Sequence, residues 1–418
     1  VILIVAYRSV DKLELCLASI ARFLPDNPIH IWDNSGSDFP GVREFAKLRP
    51  EIHWHLGGEN IGFAAAVNKL AGAVPGHDLL LVNPDAELLG SLPLTRAAIQ
   101  EPGIAAAAPL QWQPVAEDAA PPRRRRPSFW DRRQLPWDDV AYRKLTLLSA
   151  FGSVAGFSTR LRGSVFSISY RSQPTDVDGF LAGSCLAISR EAWDRVGPFD
   201  EEFFMYQEEA EWQRRAITAG WRLRLADEVG ARHSLKGTVI NDPQRLTRSQ
   251  DLAFANAVLI VEYCFGIRAA EAYLVLGAIV ENLRRRRHGR GLPLPQPHDV
   301  LLTIDGEAAT VEDRTAAALG LLQAGYSVCV VSLQRLGSLQ RGLPPVVRLI
   351  RRPWWWPSIA PQGSPSFFVT GTTRRERLFT QLFRLRHPRI PILAVEDLLG
   401  LANEDRSDNG GAEPSPAG

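Results

Sequence analysis

Methionine is nearly absent, with one in 418 residues, and cysteine is scarce, with four. Cys16, Cys185, Cys264 and Cys329 lie far apart and form no CxxC pair. That spacing argues against a disulfide framework and a cysteine-ligated zinc module, and suits a reducing compartment. Net charge is small too: 48 basic against 46 acidic residues leave +2, which gives no general case for nucleic-acid binding. No uncharged apolar run reaches the 18 or so residues that a bilayer span needs. No signal-peptide pattern is visible. The chain opens on Val1 rather than Met, so preceding residues are expected.

What is present is a globular composition, 45% hydrophobic and 22% charged, over a length that predicts two or three domains. The continuous apolar run VILIVAY (1–7) reads as a strand buried on both faces. A helix follows over 12–23, then a strand over 29–32 that ends in Asp33. Another helix opens near Asn60, and DLLLVNPDAEL (78–88) reads as a third strand running into a turn. Strands alternating with helices predict a parallel sheet covered by helices. Such sheets bind ligands outside the carboxyl ends of their strands, so Asp33, Asn60 and Asp85 are expected to line one crevice.

From 109 to 175 the pattern degrades. The stretch PPRRRRPSFWDRRQLPWDD is too long for an ordinary connection, so this irregular insertion is expected to be an acceptor loop or disordered. Strands are predicted again over 177–189 and 221–234. Residues 246–291 read as helical, with apolar stretches at 252–261 and 272–280 before RRRRHGR (284–290). Two readings stand: a membrane-surface element whose basic end meets anionic lipid, or two packed helices with a basic C-terminus. LPLPQPH (292–298) is a linker. A second, smaller α/β domain is expected over 298–400, with no phosphate-binding glycine signature. The polar tail 402–418 is expected to be disordered.

The stretch FFMYQEEAEWQRRAITAGW (203–221) carries three glutamates in an otherwise apolar helix start. Helical spacing from Met205 puts Glu209 on one face with Trp212 and Ala216. Glu209 is therefore expected to face inward, and Glu208 and Glu211 to be solvated. Acids favour a helix N-terminus, but an unpaired buried carboxylate is costly, so Glu209 calls for a chemical reason.

Five pieces occur in order: DNSGSD (33–38), NIGFAAAVN (60–68), LLLVNPDAEL (79–88), VGPFDEEFFMYQEEAEWQRRAITAGW (196–221) and ARHSLKGT (231–238). Together they resemble the family 2 glycosyltransferases, inverting enzymes of GT-A fold, and within them the bacterial rhamnosyltransferase-like branch. The resemblance spans about residues 1–245. It implies a GT-A, Rossmann-like nucleotide-diphospho-sugar transferase domain, followed here by the helical extension and the second α/β domain.

The resemblance also implies roles. Ala6 and Tyr7 end the first strand at the donor site, and Asp33 accepts a hydrogen bond from the nucleobase. Asn60 and Gly62 stand where a helix passes under the nucleotide. Asn83 replaces the first acid of a D-x-D pattern, and Asp85 is a ligand of Mg²⁺ or Mn²⁺. His233 matches a late histidine that reaches the metal or the diphosphate. Glu209 is the implied general base, with Glu208 the fallback. Gly183, Ser184, Tyr206 and Trp212 fall on the acceptor side, and the basic segment 121–137 is a candidate contact for an anionic acceptor. Two departures stand out: glutamates replace the usual aspartates of the motif, and Arg8 stands where the family often has Asn.

The implied donor is dTDP-L-rhamnose, or next a UDP-sugar such as galactofuranose. The implied acceptor is a glycan, free or polyprenyl-diphosphate-linked, used in cell-surface polysaccharide synthesis at the cytoplasmic face of the membrane, with peripheral membrane contact. Two other readings remain at this stage: a non-catalytic nucleotide-sugar or glycan-binding scaffold, and a chain whose C-terminal domain is the main actor.

Overall fold

The structure, a computed structural model, describes residues 1–112, 140–158, 160–233, 243–287, 298–305, 308–337, 339–344, 346–357 and 365–398. The basic segment 121–137, residues 234–238 of the last motif, 288–290 of the basic run and the 402–418 tail lie outside them. The chain divides into two compact units, Val1–Pro243 and Gln244–Gly418.

The first unit runs β1 (Ile2–Ala6), α1 (Val10–Phe23), β2 (Ile29–Asp33), α2 (Gly41–Lys47), β3 (His53–Leu56), α3 (Phe63–Ala73), β4 (Leu79–Val82), β5 (Ala86–Leu88), α4 (Pro93–Ile99), β6 (Ile104–Trp112), β7 (Ala141–Arg143), α5 (Leu147–Val154), β8 (Gly179–Leu181), β9 (Cys185–Ile188), α6 (Arg190–Val196), α7 (Glu208–Thr218) and β10 (Arg222–His233). Eight of these strands form one mixed sheet, in the order β3-β2-β1-β4-β9-β6-β10-β5. β1 is parallel to both β2 and β4, whereas β9 runs antiparallel to β4 and β6. Every residue of β1, β6 and β9 is buried, because each is an inner strand with packing on both faces. One apolar cluster gathers Leu3, Val67, Leu81, Ile188 and Trp212; another gathers Ile4, Leu17, Ile31 and Val82. This is the α/β, Rossmann-like GT-A class that the sequence led us to expect.

Local chemistry redirects two predicted strands. The 78–88 run breaks at Asn83-Pro84-Asp85, and its second half crosses to the sheet's far edge, where β5 pairs antiparallel with β10. The 177–189 run breaks at Ala182-Gly183-Ser184, with β8 pairing to β7 and β9 entering the main sheet. Within the expected irregular segment 109–175, β6 continues to Trp112. Farther along, β7 and α5 are regular, and α5 begins with a reciprocal Thr146–Ser149 capping box.

The second unit begins with α8 (Pro243–Phe265) and α9 (Ile267–Arg287), joined at Gly266 with φ +84°. Then come β11 (Val300–Ile304), α10 (Ala308–Gln323), β12 (Val328–Ser332), α11 (Leu339–Gly342), β13 (Arg348–Arg351), β14 (Phe367–Val369), α12 (Arg374–Arg386) and β15 (Ile392–Leu393). The strands form an all-parallel sheet in the order β13-β12-β11-β14-β15. α8 packs within this unit. Leu252, Val258 and Val261 are buried, and Ala255 joins a cluster with Val300 and Val330. Asp251 pairs with Arg348 at 2.9 Å, and Glu262 pairs with both Arg351 (2.7 Å) and Arg335 (2.9 Å). These contacts favour the packed-helix reading of the 252–261 stretch. No helix among the described residues is long and apolar enough to cross a membrane.

Candidate active site

Parallel pairing brings the carboxyl ends of β1, β2, β3 and β4 to one rim of the sheet. β9 starts at that rim because it runs antiparallel to β4, and β10, parallel to β6, ends there. The rim therefore collects Tyr7, Asp33, Asn60, Asn83, Asp85, Gly183 and His233 from distant parts of the chain.

Asp33 is fully buried at the end of β2. Its Oδ1 accepts the Ser35 amide at 2.9 Å. Its Oδ2 is buried with no hydrogen-bond partner, and the nearest charge is Arg43 Nε at 3.8 Å. An acceptor oxygen held in this way is costly unless something donates to it. Ala6 is buried, and its carbonyl accepts the Asn34 amide at 2.8 Å, so it shapes the loop through its backbone. Arg8 holds the same loop: its amide donates to Ser35 Oγ (2.9 Å), its Nε to Ser35 O (3.1 Å), and its guanidinium pairs with Asp38. Tyr7 lies beside that guanidinium, 5.7 Å from ring centroid to charge. The Asn34 side chain accepts the Ile61 amide, and the Asn60 side chain accepts the Gly62 amide, which joins the two loops into one floor.

Asp85 follows the Asn83–Pro84 turn, and the antiparallel pairing of β5 with β10 sets His233 opposite Ala86. His233 Nε2 consequently lies 3.3 Å from Asp85 Oδ1, with both side chains largely shielded from solvent. A carboxylate and an imidazole so placed fit a divalent cation that takes its remaining ligands from a phosphate group and water. Among the described residues, no three His, Cys, Asp or Glu side chains gather into a metal site.

α7 starts from a strained turn. Tyr206 and Gln207 take φ +78° and +74°, a region costly for residues with a Cβ. The turn sets Glu208 and Glu209 in the helix's first turn, where the dipole welcomes negative charge. Glu208 Oε2 and Glu209 Oε2 are both buried without hydrogen-bond partners. Burial pushes the Glu208 pKa well up, and the neighbouring Glu209 charge adds to that. Burial also raises Glu209, opposed by surrounding backbone amides that include Gly183. Burial thus favours the protonated form of both carboxyls, and a negative charge on one disfavours a second on its neighbour.

Gly183 lies directly against Glu209: a Cβ there would sit 3.4 Å from Glu209 Cγ. The next residue, Ser184, accepts the Asn83 amide at its carbonyl, 2.9 Å away. A continuous path therefore joins Glu209, Gly183, Ser184, Asn83 and Asp85. Gln213, fully buried, clamps the other side of this loop. Its Nε2 donates to Leu181 O and its Oε1 accepts the Leu181 amide, both at 2.8 Å.

Several expectations are corrected. Trp212 is not on the acceptor side: it is completely buried, donates to Gly197 O at 2.8 Å and stacks on Trp193. The Ser184 hydroxyl is turned to Gln111 Oε1 (2.6 Å) and buried, so this side chain secures the turn. Glu208 and Glu211 are buried rather than solvated, and Glu209 is the least shielded of the three. Arg214 and Arg215 neutralise Glu211 at 3.0 and 2.8 Å, which is what permits its burial. Gly62 is required by protein rather than by a ligand: its φ is +86°, and a Cβ would approach Phe204 O to 2.5 Å. Tyr206 stays exposed beside the glutamates.

Sequence reasoning missed Gln213, Gln111, Asn34 and Arg43. A lone amide or guanidinium carries no periodic signal; Asn34, inside the DNSGSD piece, and Gln213, inside the 196–221 piece, stood in segments already singled out, without a role of their own.

A buried acceptor oxygen on Asp33, the Asp85–His233 pair and the shielded Glu209 carboxylate thus gather on one rim of an α/β sheet. The N-acetylglucosaminyl-diphospho-decaprenol L-rhamnosyltransferase of Mycobacterium tuberculosis is 30% identical over 245 residues, covering 52% of this chain and 70% of that protein. The chain belongs to the family 2 glycosyltransferases, in the rhamnosyltransferase-like branch. No protein-family model matches the chain. Among solved structures, the Pyrobaculum calidifontis mannosyltransferase PcManGT, in complex with GDP-Man and Mn²⁺, is 14% identical at a TM-score of 0.38, covering 77% of this chain and 79% of its own. S. aureus TarS 1–349 with UDP-GlcNAc is 12% identical at a TM-score of 0.36, covering 69% and 74%. Both likenesses are distant, and the family assignment rests on the sequence relative.

Proposed function

We propose that this protein transfers L-rhamnose, with inversion, from a nucleotide-diphosphate donor to a lipid-linked N-acetylglucosaminyl acceptor in cell-surface glycan synthesis. The observation that carries the reading is the path from Glu209 through Gly183 and Ser184 to the Asn83–Asp85 turn, which ties a proton acceptor to a diphosphate-side carboxylate. The reactions named for the M. tuberculosis relative motivate the choice of sugar and acceptor.

Asp33 Oδ2 accepts a hydrogen bond from a ring N–H of the base, filling its open valence. Asp85 and His233 would hold a divalent cation, Mg²⁺ or Mn²⁺, which when bound neutralises the leaving diphosphate. Glu209, in its ionised form, takes the proton of the acceptor hydroxyl. The hydroxyl oxygen forms the new bond to the anomeric carbon as the bond to the diphosphate breaks, and the electron pair leaves with the nucleoside diphosphate. The raised pKa of Glu209 brings its basicity nearer to that required for general-base catalysis. The acceptor enters beside Gly183 and Tyr206.

The test is calorimetry with a panel of nucleotide sugars, with and without Mn²⁺ or Mg²⁺, followed by transfer to N-acetylglucosaminyl-diphospho-polyprenol. Metal-enhanced binding of dTDP-L-rhamnose and product formation are expected. Selective turnover of a UDP-sugar would overturn the donor. Donor binding without transfer to any acceptor would instead favour a binding scaffold.

A further inference from the structure

We infer that the lobe formed by α5 and the segment that follows it is a membrane-docking surface for anionic lipid. Among the described residues, seventeen large hydrophobic side chains are exposed. Six of them fall within residues 147–166: Leu147, Leu148, Phe157, Leu161, Val165 and Phe166. An even scatter along the chain would put about one there, so this is a concentration of the kind that marks an interaction site.

The lobe presents these groups from a folded surface. The Thr146–Ser149 capping box starts α5. Gly152 lies so close to the Phe166 carbonyl that no Cβ fits between them. The amides of Phe157 and Leu161 donate to Gly152 O and Phe157 O at 2.7 and 2.8 Å, which sets Phe157 and Leu161 one helical turn apart. Ser167 Oγ donates to Ser158 O at 2.6 Å, and Arg143 reaches Ser164 O at 3.2 Å.

Charge selects the occupant. Residues 144–175 contain no Asp or Glu, and Lys144, Arg160, Arg162 and Arg171 are exposed. Apolar side chains interspersed with cations match a bilayer whose headgroups are anionic, where each cation contributes about 1 kcal/mol. A second copy of the chain would set Lys144, Arg160, Arg162 and Arg171 against the same cations of its partner, which electrostatic complementarity opposes.

The lobe is attached to the reaction site through the sheet. β7 pairs with β8, placing Arg143 opposite Gly179, and the Lys144 amide donates to Asp178 O at 2.7 Å. β8 then leads directly to Gly183 beside Glu209. Docking would thus bring a membrane-resident acceptor to the catalytic side of the rim, a consequence that rests on the acceptor proposed above.

Flotation of the full chain with vesicles of phosphatidylglycerol and phosphatidylcholine, against phosphatidylcholine alone, tests the docking without donor or acceptor. Wild type is expected to float with the anionic vesicles and to be released by salt. Arg160→Gln with Arg162→Gln should weaken partitioning roughly 30-fold. Phe157→Ser with Leu161→Ser should reduce flotation at equal ionic strength. Melting curves and donor calorimetry on each variant separate loss of docking from loss of folding. If the apolar pair fails to fold, the charge pair decides. No flotation of wild type, or flotation unchanged in both folded variants, would overturn the inference. So would a dimer seen by light scattering that the same substitutions abolish, since a second copy would then cover the patch. Vesicle binding in a chain that transfers no sugar would leave the docking intact and remove the proposed function.

Discussion

His233 Nε2 stands 3.3 Å from Asp85 Oδ1, across a strand pairing that joins residues nearly 150 positions apart. Neither strand makes this pair alone. It exists because β5 leaves its expected course after Asn83-Pro84-Asp85 and pairs with the end of β10. Asp85→Ala should lower metal-enhanced donor affinity by about 100-fold or more, and His233→Ala by a smaller factor. Calorimetry with and without Mn²⁺ checks both. Equal donor affinity in Asp85→Ala and wild type would remove the metal assignment.

Glu209→Gln should cut kcat by about 10²- to 10⁴-fold with donor affinity retained. The folded-state pKa of Glu209 is raised, so the carboxylate is neutralised as pH falls through that value. Wild-type kcat should therefore rise with pH along an acidic limb displaced above the ordinary glutamate range. The residual activity of the glutamine variant should lack that limb. A limb that persists unchanged in Glu209→Gln would assign the base elsewhere.

Glu208 carries a stability signature of opposite sense to a salt-bridged acid. Its folded pKa lies well above the ordinary 4.5, because burial and the Glu209 charge disfavour its ionised form. The folded state binds the proton more tightly than the unfolded state, so stability is greatest below about 4.5 and is lost as pH rises toward the folded value. Glu208→Gln, permanently neutral, should melt higher than wild type near neutral pH, by about 2–4 °C for each kcal/mol relieved. That gap should close at acid pH, as followed by thermal denaturation at several pH values.

Gly62→Ala should destabilise the first unit by roughly 1–3 kcal/mol from its left-handed backbone alone. The contact of a new Cβ with Phe204 O adds to this. The Phe63 amide donates to that same carbonyl at 2.6 Å, so the loop preceding Glu208 should shift as well. A lower melting temperature together with reduced kcat is expected. A variant that melts with wild type would show that the two loops are not coupled.

By itself the sequence determined where the chain alternates between strand and helix, and hence which short polar motifs follow strands. VILIVAY, IHIW and LLLV are apolar runs with local meaning, and Asp33 and Asp85 were legible because each follows such a run. The second sheet is built from runs of the same kind: DVLLTID, SVCVVSL and SFFVT all contribute strands to it. Tertiary structure decided what depends on partners far along the chain. Helical periodicity assigned Glu209 to the interior and Glu211 to solvent, yet Glu211 is buried because Arg214 and Arg215 neutralise it there. Trp212 looked available to a ligand until Trp193 and Phe199 enclosed it. The clamp of Gln213 on Leu181 had no sequence signal, since an amide's role is set by whichever backbone meets it. Periodicity reports which face of an element is apolar; burial, pairing and charge compensation are settled only when the elements pack.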